Sequence, residues 1–176
     1  MKKIIAIGGS NSKKSINKTL ATYAANQIKD TETVVIDLND FNLPQYGIDL
    51  ETEKGIPEDA NRLNEMIASA DGLVVSLAEH NGSYATAFKN AYDWLSRINQ
   101  KVWKNKPMLL MATSPGGRGG ATVLQGAKTS FPYMGANIIA DFSLPSFYDN
   151  FSENKINNEE LSTELDSKIR LFEKAI

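Results

Sequence analysis

Short apolar runs alternate with longer stretches of helical periodicity along the 176 residues of the chain. The runs are rich in β-branched residues and bounded by Gly, Asn and Pro, a pattern typical of buried strands. They predict five strands, at residues 3–7, 33–38, 72–77, 107–112 and 137–140. Between them, apolar residues recur every three or four positions and predict helices near 16–28, 57–70, 84–95, 121–134 and 158–174. A polar stretch at 39–55 predicts an irregular loop, and Pro57 is expected in the first turn of the helix that follows.

This alternation indicates right-handed βαβ units and therefore a parallel sheet. We expect an α/β fold: a three-layer, flavodoxin-like, doubly wound sheet of five parallel strands in the order 2-1-3-4-5. Residues 1–176 show no internal repeat and no composition break, so a single domain is expected. In such a sheet, ligands bind beyond the carboxyl ends of the strands, next to the point where the strand order reverses.

Composition narrows the possible chemistry. The chain has no cysteine and one histidine, which excludes thiolate chemistry and a multi-histidine metal site, and we expect no metal. No apolar run approaches the roughly 20 residues that cross a bilayer, and the apolar start is too short for a signal peptide, so a cytoplasmic protein with no membrane partner is expected.

The net charge of −2 conceals two basic segments. Residues 1–30 hold six basic side chains and one acidic one, and residues 81–130 hold seven basic and one acidic. A nucleic-acid-binding domain is usually basic overall, and this chain is not, so no nucleic-acid partner is expected. The two segments could instead surround a small anion, or their charges could be solvated on helix faces.

The loop after the first strand carries the clearest sign of anion binding. It runs from Gly8 to Asn17, holds two glycines, three serines and two lysines, and leads into the first helix. A helix N-terminus offers free N–H groups and partial positive charge, which suits a terminal phosphate. The competing explanation is a helix cap by Ser15 with the other polar side chains solvated. The loop is one residue from a Walker A motif, because Lys13 stands where that motif requires glycine.

Two further loops are expected at the same sheet edge. Glu79–Ser83 contains an Asn-Gly pair, which permits a tight turn with exposed amides. Ser114–Gly120 contains four glycines, which would let a flat ligand approach the backbone. Each loop alone could be an ordinary turn, but three at one edge favour a binding site.

These segments resemble the NADPH-dependent FMN reductase family, which includes flavin-dependent quinone, azo-dye and chromate reductases. The resemblance covers most of residues 1–140 and rests on Gly9-Ser10-x-x-x-x-Ser15-x-Asn17-x-x-Leu20-Ala21, Ala70-Asp71-Gly72-Leu73-Val74, Glu79-His80-Asn81-Gly82-Ser83, Lys89-Asn90-Ala91-Tyr92-Asp93-Trp94-Leu95-Ser96-Arg97 and the glycine loop 114–120. Three positions depart from the family pattern. Ser12 replaces an arginine that often faces the phosphate, His80 replaces a tyrosine, and Ala85-Thr86 replaces a Pro-Gly pair.

The resemblance implies a fold that binds FMN, with cofactor contacts from all three loops. The first loop would hold the phosphate with Ser10, Ser12, Ser15, Ile16 and Asn17. The second would lie along the isoalloxazine ring with Glu79, His80, Asn81 and Gly82. The third would close the opposite border with Ser114, Gly116, Gly117 and Arg118, of which Arg118 either steers a nicotinamide phosphate or is merely solvated.

The implied activity is transfer of reducing equivalents from NADPH or NADH through FMN to a small acceptor: a quinone, a flavin, an azo compound or a metal oxyanion. No catalytic side chain is required, because a flavin carries the chemistry. The family also implies a homodimer or homotetramer, with the helix at 84–97 in the interface. Two alternatives stay open: a flavodoxin-like electron carrier that is not an enzyme, and a nucleotide phosphohydrolase that uses the Walker-like loop.

Overall fold

The computed structural model describes all residues from 1 to 176. Its strands are β1 (Lys2–Gly9), β2 (Thr31–Ile36), β3 (Gly72–Leu77), β4 (Glu79–His80), β5 (Ser83–Tyr84), β6 (Pro107–Thr113), β7 (Asn137–Leu144), β8 (Phe151–Ser152) and β9 (Lys155–Ile156). Its α-helices are α1 (Ile16–Ala25), α2 (Ile48–Lys54), α3 (Glu58–Ala68), α4 (Thr86–Ile98), α5 (Ala121–Ser130), α6 (Phe147–Asn150) and α7 (Glu159–Glu173).

Five strands form one sheet in the order β2-β1-β3-β6-β7, and every pairing in it is parallel. Counted among themselves these strands have the order 2-1-3-4-5, so the predicted flavodoxin-like topology is confirmed. The short strands form two separate antiparallel hairpins, β4-β5 and β8-β9. The first of these hairpins lies just beyond the end of β3, where the sheet order places a ligand.

Helices cover both faces of the sheet and give it three layers. Along β1, Ile5 and Ile7 join a core with α3, α4 and α5, whereas Ile4 and Ala6 join a second core with α1 and α7. β3 is buried along its whole length, as expected for a central parallel strand covered on both sides. The two cores hold the strand ends in fixed positions relative to the helices that begin beside them.

The structure differs from the predicted elements mainly at their ends. The region 39–55 is not entirely irregular, because it contains α2, whose residues are all at least partly exposed and form no apolar stripe. Pro57 is the N-cap of α3 and not part of its first turn. Tyr84 belongs to β5 and not to the following helix, and residues 131–134 form a separate 3-10 turn.

None of the helices is both long and apolar enough to span a membrane.

Candidate functional site at the carboxyl edge of the sheet

The three predicted loops begin at the carboxyl ends of adjacent strands. β1 ends at Gly9, β3 at Leu77 and β6 at Thr113, and these three strands are neighbours in the sheet. The loops therefore open on one edge, as the sequence predicted.

The N-terminus of α1 lies against the end of β1 because residue 8 is a glycine. A Cβ atom on Gly8 would fall 2.5 Å from the Cα of Lys18, so any larger residue would push the helix away. Ser15 is the N-cap of α1, and its Oγ accepts the N–H of Lys18 at 3.1 Å. The first N–H groups of α1, those of Ile16 and Asn17, have no acceptor within the protein and face outward from the helix start. Capping and anion binding, predicted as alternatives, are compatible, because the Ser15 hydroxyl accepts the N–H of Lys18 and can still donate its own proton, while the N–H groups of Ile16 and Asn17 stay free.

The side chain of Asn17 is not available to a phosphate. It is only 2% exposed, and its amide nitrogen donates to the backbone oxygen of Thr113 at 3.1 Å. Its amide oxygen accepts the N–H of Thr113 at 3.1 Å and the hydroxyl of Ser76 at 2.7 Å. Asn17 thus joins α1 to the ends of β3 and β6, and only its backbone N–H remains for a ligand.

The rest of the first loop is ordered by its own serines. Ser10 Oγ accepts the N–H of Ser12 at 3.1 Å, and Ser12 Oγ accepts the N–H of Lys14 at 3.3 Å. Ser12, Lys13 and Lys14 are exposed. Below the loop, Lys18 forms an ion pair with Asp37, and its ammonium hydrogen bond holds the pKa of that carboxyl below its usual value. The loop is therefore a short, polar, basic turn above the start of α1.

The second loop is the β4-β5 hairpin. Its turn consists of Asn81 and Gly82, with φ of 51° and 75°, so the predicted positive-φ turn is confirmed. His80 and Asn81 are exposed at the sheet edge. Glu79 has a role that the sequence analysis did not foresee: its carboxylate accepts the N–H of Val123, in the first turn of α5, at 2.9 Å. This bond fixes the second loop to the helix that follows the third loop.

The glycines of the third loop divide into two kinds. Gly116 and Gly117 have open space where a Cβ would be, because the nearest atoms are 4.0 and 3.9 Å away. Gly119 and Gly120 have positive φ, and a Cβ on either would lie within 3 Å of neighbouring atoms. Only the first pair can admit a flat ligand, whereas the second pair is needed for packing. Arg118 is exposed and donates to Thr122 Oγ1 at 2.8 Å.

A segment that the sequence analysis did not assign supports the third loop. The N–H of Ser146 donates to the oxygen of Gly116, and the N–H of Phe147 donates to the oxygen of Ser114, both at 3.0 Å. These residues follow β7 and begin α6, which places the exposed ring of Tyr148 at the same edge. No sequence motif marks the contact, because it is made by backbone atoms.

The aromatic residues of α4 face the interior of this chain. Phe88, Tyr92 and Trp94 are at most 9% exposed, and Trp94 Nε1 donates to the oxygen of Pro44 at 2.7 Å. Desolvation raises the pKa of Tyr92 above the usual range of a phenol. These side chains therefore give no support to the subunit interface that the family resemblance implies at this helix.

A pair of free helix amides, a polar basic turn and two open loops at the switch point of a 2-1-3-4-5 sheet are features of the class of α/β proteins that bind phosphorylated, flat ligands. Comparison with known proteins identifies the family within this class. Residues 2–149 match the NADPH-dependent FMN reductase family, and the chain belongs to that family. The predicted resemblance is confirmed.

Individual proteins similar to this chain have names that are consistent with the family. The chain is 33% identical to a 2-hydroxy-1,4-benzoquinone reductase of Burkholderia over 156 residues, which cover 88% of this chain and 81% of the relative. It is 32% identical to a quinone reductase of Escherichia coli K12 over 115 residues, which are 65% of this chain but only 60% of that relative. Among solved structures, the flavoenzyme NAD(P)H:(acceptor) oxidoreductase FerB of Paracoccus denitrificans superposes with a TM-score of 0.74 at 27% identity and 99% coverage of both chains.

Proposed function

We propose that this chain is an FMN-dependent NAD(P)H oxidoreductase that passes reducing equivalents from NADPH or NADH to a small acceptor, with quinones as the first acceptors to test. The observation that carries the proposal is that the free amides at the start of α1 lie beside the glycine loop 114–120, because Asn17 is hydrogen-bonded to Thr113 just before that loop. Membership of the FMN reductase family and the names of the two quinone reductases support it.

The residues at the edge fit FMN in their chemistry. We propose that the phosphate binds at the N–H groups of Ile16 and Asn17, with hydroxyl donation from Ser10, Ser12 and Ser15. An anion at a helix N-terminus is stabilised by the helix dipole as well as by these bonds. The lysines of the first loop add positive charge without a fixed geometry.

The ring would lie between the second and third loops. On this proposal the backbone at His80, Asn81 and Gly82 borders one side, while Ser114, Gly116 and Gly117 border the other. Glu79 would act indirectly, by holding the hairpin on α5. Arg118 would lie at the outer rim, where a nicotinamide phosphate could be steered.

Bound FMN supplies the redox chemistry, accepting and returning a pair of electrons. The chain's own residues have three tasks: to bind the phosphate, to orient the ring and to leave one face open. This division agrees with a chain that lacks cysteine and has a single histidine. We propose that residues 1–176 form one FMN-binding domain that assembles as a homodimer or homotetramer, through surfaces other than the buried aromatic side of α4.

The structure weakens the phosphohydrolase alternative. Gly8, the first glycine of the Walker-like pattern, packs closely against the backbone of Lys18, so the fold itself explains why this residue is a glycine. The sheet also has the flavodoxin order. Steady-state oxidation of NADPH distinguishes the enzyme from the electron-carrier alternative, because an electron carrier would oxidise NADPH only negligibly.

The test is a spectrum followed by turnover. Purified protein should show flavin absorption, release FMN on denaturation, and oxidise NADPH or NADH when 1,4-benzoquinone is added. Protein that neither carries flavin nor quenches the fluorescence of added FMN would contradict the proposal. Flavin binding without NAD(P)H turnover would instead identify an electron carrier.

A further inference from the structure

The turn of the β4-β5 hairpin contains the only Asn-Gly dipeptide of the chain, Asn81-Gly82. Both residues are exposed, and both have positive φ, 51° and 75°. In an Asn-Gly pair, the backbone nitrogen of the glycine can attack the side-chain carbonyl carbon of the asparagine, because glycine has no Cβ to obstruct the approach. Whether this reaction occurs in a folded chain depends on whether the two reacting groups are free.

Both reacting groups are free in this turn. The backbone N–H of Gly82 has no acceptor within the protein. The side-chain hydrogen bonds of the hairpin are formed by Glu79 and Tyr84, and the amide of Asn81 forms none. A Cβ atom on Gly82 would meet a single neighbour, Thr122 Cγ2, at 3.7 Å. The turn therefore has room for a five-membered ring, and no hydrogen bond opposes its closure.

Two other exposed asparagines lack this combination of features. Asn11 precedes a serine, but the N–H of that serine donates to Ser10 Oγ at 3.1 Å. Asn105 also has positive φ, of 57°, but the N–H of the lysine that follows it donates to the backbone oxygen of Trp103 at 2.9 Å. At both positions the attacking nitrogen is held by a hydrogen bond and belongs to a residue with a Cβ atom. Asn81 is thus the more reactive position on both counts.

We propose that Asn81 is a site of spontaneous deamidation and that the product weakens the binding of FMN. The nitrogen of Gly82 forms a bond to Cγ of Asn81, the bond from Cγ to Nδ2 breaks, and ammonia leaves with the proton of the attacking N–H. Water then opens the succinimide ring to aspartate or to isoaspartate. The net reaction takes up one water, releases one ammonia and adds one negative charge at neutral pH.

The strands of the hairpin stay fixed while the turn between them changes. Glu79 accepts the N–H of Val123 at 2.9 Å, and the hydroxyl of Tyr84 lies 3.1 Å from Ser130 Oγ, so both strands are bound to α5. Isoaspartate adds a methylene group to the backbone at residue 81, and either product places a carboxylate there. That charge repels the phosphate and the carbonyl oxygens of a flavin bound beside the turn. The effect on FMN rests on the proposed function, whereas the deamidation does not.

Mass spectrometry of the apoprotein as it ages tests the deamidation. After incubation at physiological temperature in mildly alkaline buffer, the peptide that contains residue 81 should gain about one mass unit, and chromatography should separate its aspartyl and isoaspartyl forms. Conversion at Asn81 should be at least about tenfold faster than at Asn11 and Asn105 in the same sample. Asn81→Gln, whose longer side chain closes a ring far more slowly, should show no conversion at this position. Conversion at Asn81 that is no faster than at the two other asparagines would overturn the proposal.

Fluorescence titration with FMN tests the effect on the cofactor. Asn81→Asp should raise the Kd for FMN about threefold to tenfold. Asn61→Asp, which adds the same charge at an exposed position of α3, should leave the Kd unchanged. Bound FMN should also slow the deamidation of Asn81, because the ring covers the turn. An unchanged Kd in Asn81→Asp would overturn the effect on FMN. If the protein binds no flavin, the proposed function fails, and the rates in the apoprotein still decide whether Asn81 deamidates.

Discussion

At the scale of single residues, the candidate site depends on a division between groups that hold the fold and groups left for a ligand. Asn17 and Ser15 both belong to the predicted phosphate loop, yet their side chains satisfy backbone groups of this chain. Their neighbours Ser12 and Lys13 are exposed. Substitutions at the two kinds of position should therefore separate stability from cofactor affinity.

Replacement of Asn17 by alanine should mainly reduce stability. The change leaves the N–H and the carbonyl of Thr113 buried without partners, and each such group costs about 1–3 kcal/mol. We expect the free energy of unfolding to fall by about 2–4 kcal/mol in urea denaturation. Asn61→Ala, at an exposed position of α3, should change it by less than about 0.5 kcal/mol. Equal losses in the two variants would show that the Asn17 bridge contributes nothing specific.

Replacement of Ser12 by arginine should tighten FMN binding. Ser12 is exposed in the candidate phosphate loop, at the position where the family often carries arginine. A guanidinium there would add a charge-assisted hydrogen bond to the phosphate, and we expect the Kd for FMN to fall about tenfold, or about 1.4 kcal/mol. Fluorescence titration at low and high salt measures this. Ser12→Gln, similar in length but uncharged, should leave the Kd near its original value, and an equal gain in that variant would rule out the electrostatic explanation.

At the scale of elements, the sequence predicted the sheet well and the site only in part. The β-branched runs identified all five strands, because a parallel strand buried on both faces is apolar along its length. The sequence pattern did not predict α2, which buries no residue. It predicted the Asn-Gly turn of the β4-β5 hairpin but not the strands on either side, because strands of two residues are too short for a periodic pattern. The roles of Asn17 and Glu79 depend on partners 96 and 44 residues away, which no local pattern reveals.

The bond between Glu79 and Val123 offers a test at this scale, because it ties the β4-β5 hairpin to α5. Loss of a carboxylate that caps a helix start costs about 0.5–2 kcal/mol, so Glu79→Ala should lower the free energy of unfolding by about 1 kcal/mol. A looser hairpin should also raise the Kd for FMN about tenfold. Glu79→Gln keeps an acceptor oxygen and should restore most of both properties.

Urea denaturation and fluorescence titration on the same three proteins measure the two effects. Glu65→Ala on the exposed face of α3 is the matched control. An FMN affinity that is unchanged in Glu79→Ala would mean that the hairpin does not need this bond.

At the scale of the whole molecule, the two basic segments of the sequence acquire a structural meaning. The first contains the loop above α1, and the second contains the turn and second strand of the β4-β5 hairpin and the glycine loop. All three lie at one edge of the sheet, where the exposed Lys13, Lys14 and Arg118 place positive charge close to the position of an anionic cofactor. The apoprotein should therefore gain stability from FMN, and most of the gain should come from the phosphate.

Thermal unfolding of the apoprotein with added flavins tests this expectation. Ligand at 100 times its Kd stabilises the folded state by about 2.7 kcal/mol, which for a chain of this length corresponds to a rise in Tm of about 5–11 °C. Riboflavin presents the same ring without the phosphate, so at equal concentration its shift should be less than about one third as large. Equal shifts for the two flavins would show that the N-terminus of α1 does not bind the phosphate and that the ring alone accounts for affinity. A large shift with FMN that shrinks in high salt would place the main attraction in the charges of the first loop, because screening weakens exposed ionic contacts far more than ring packing.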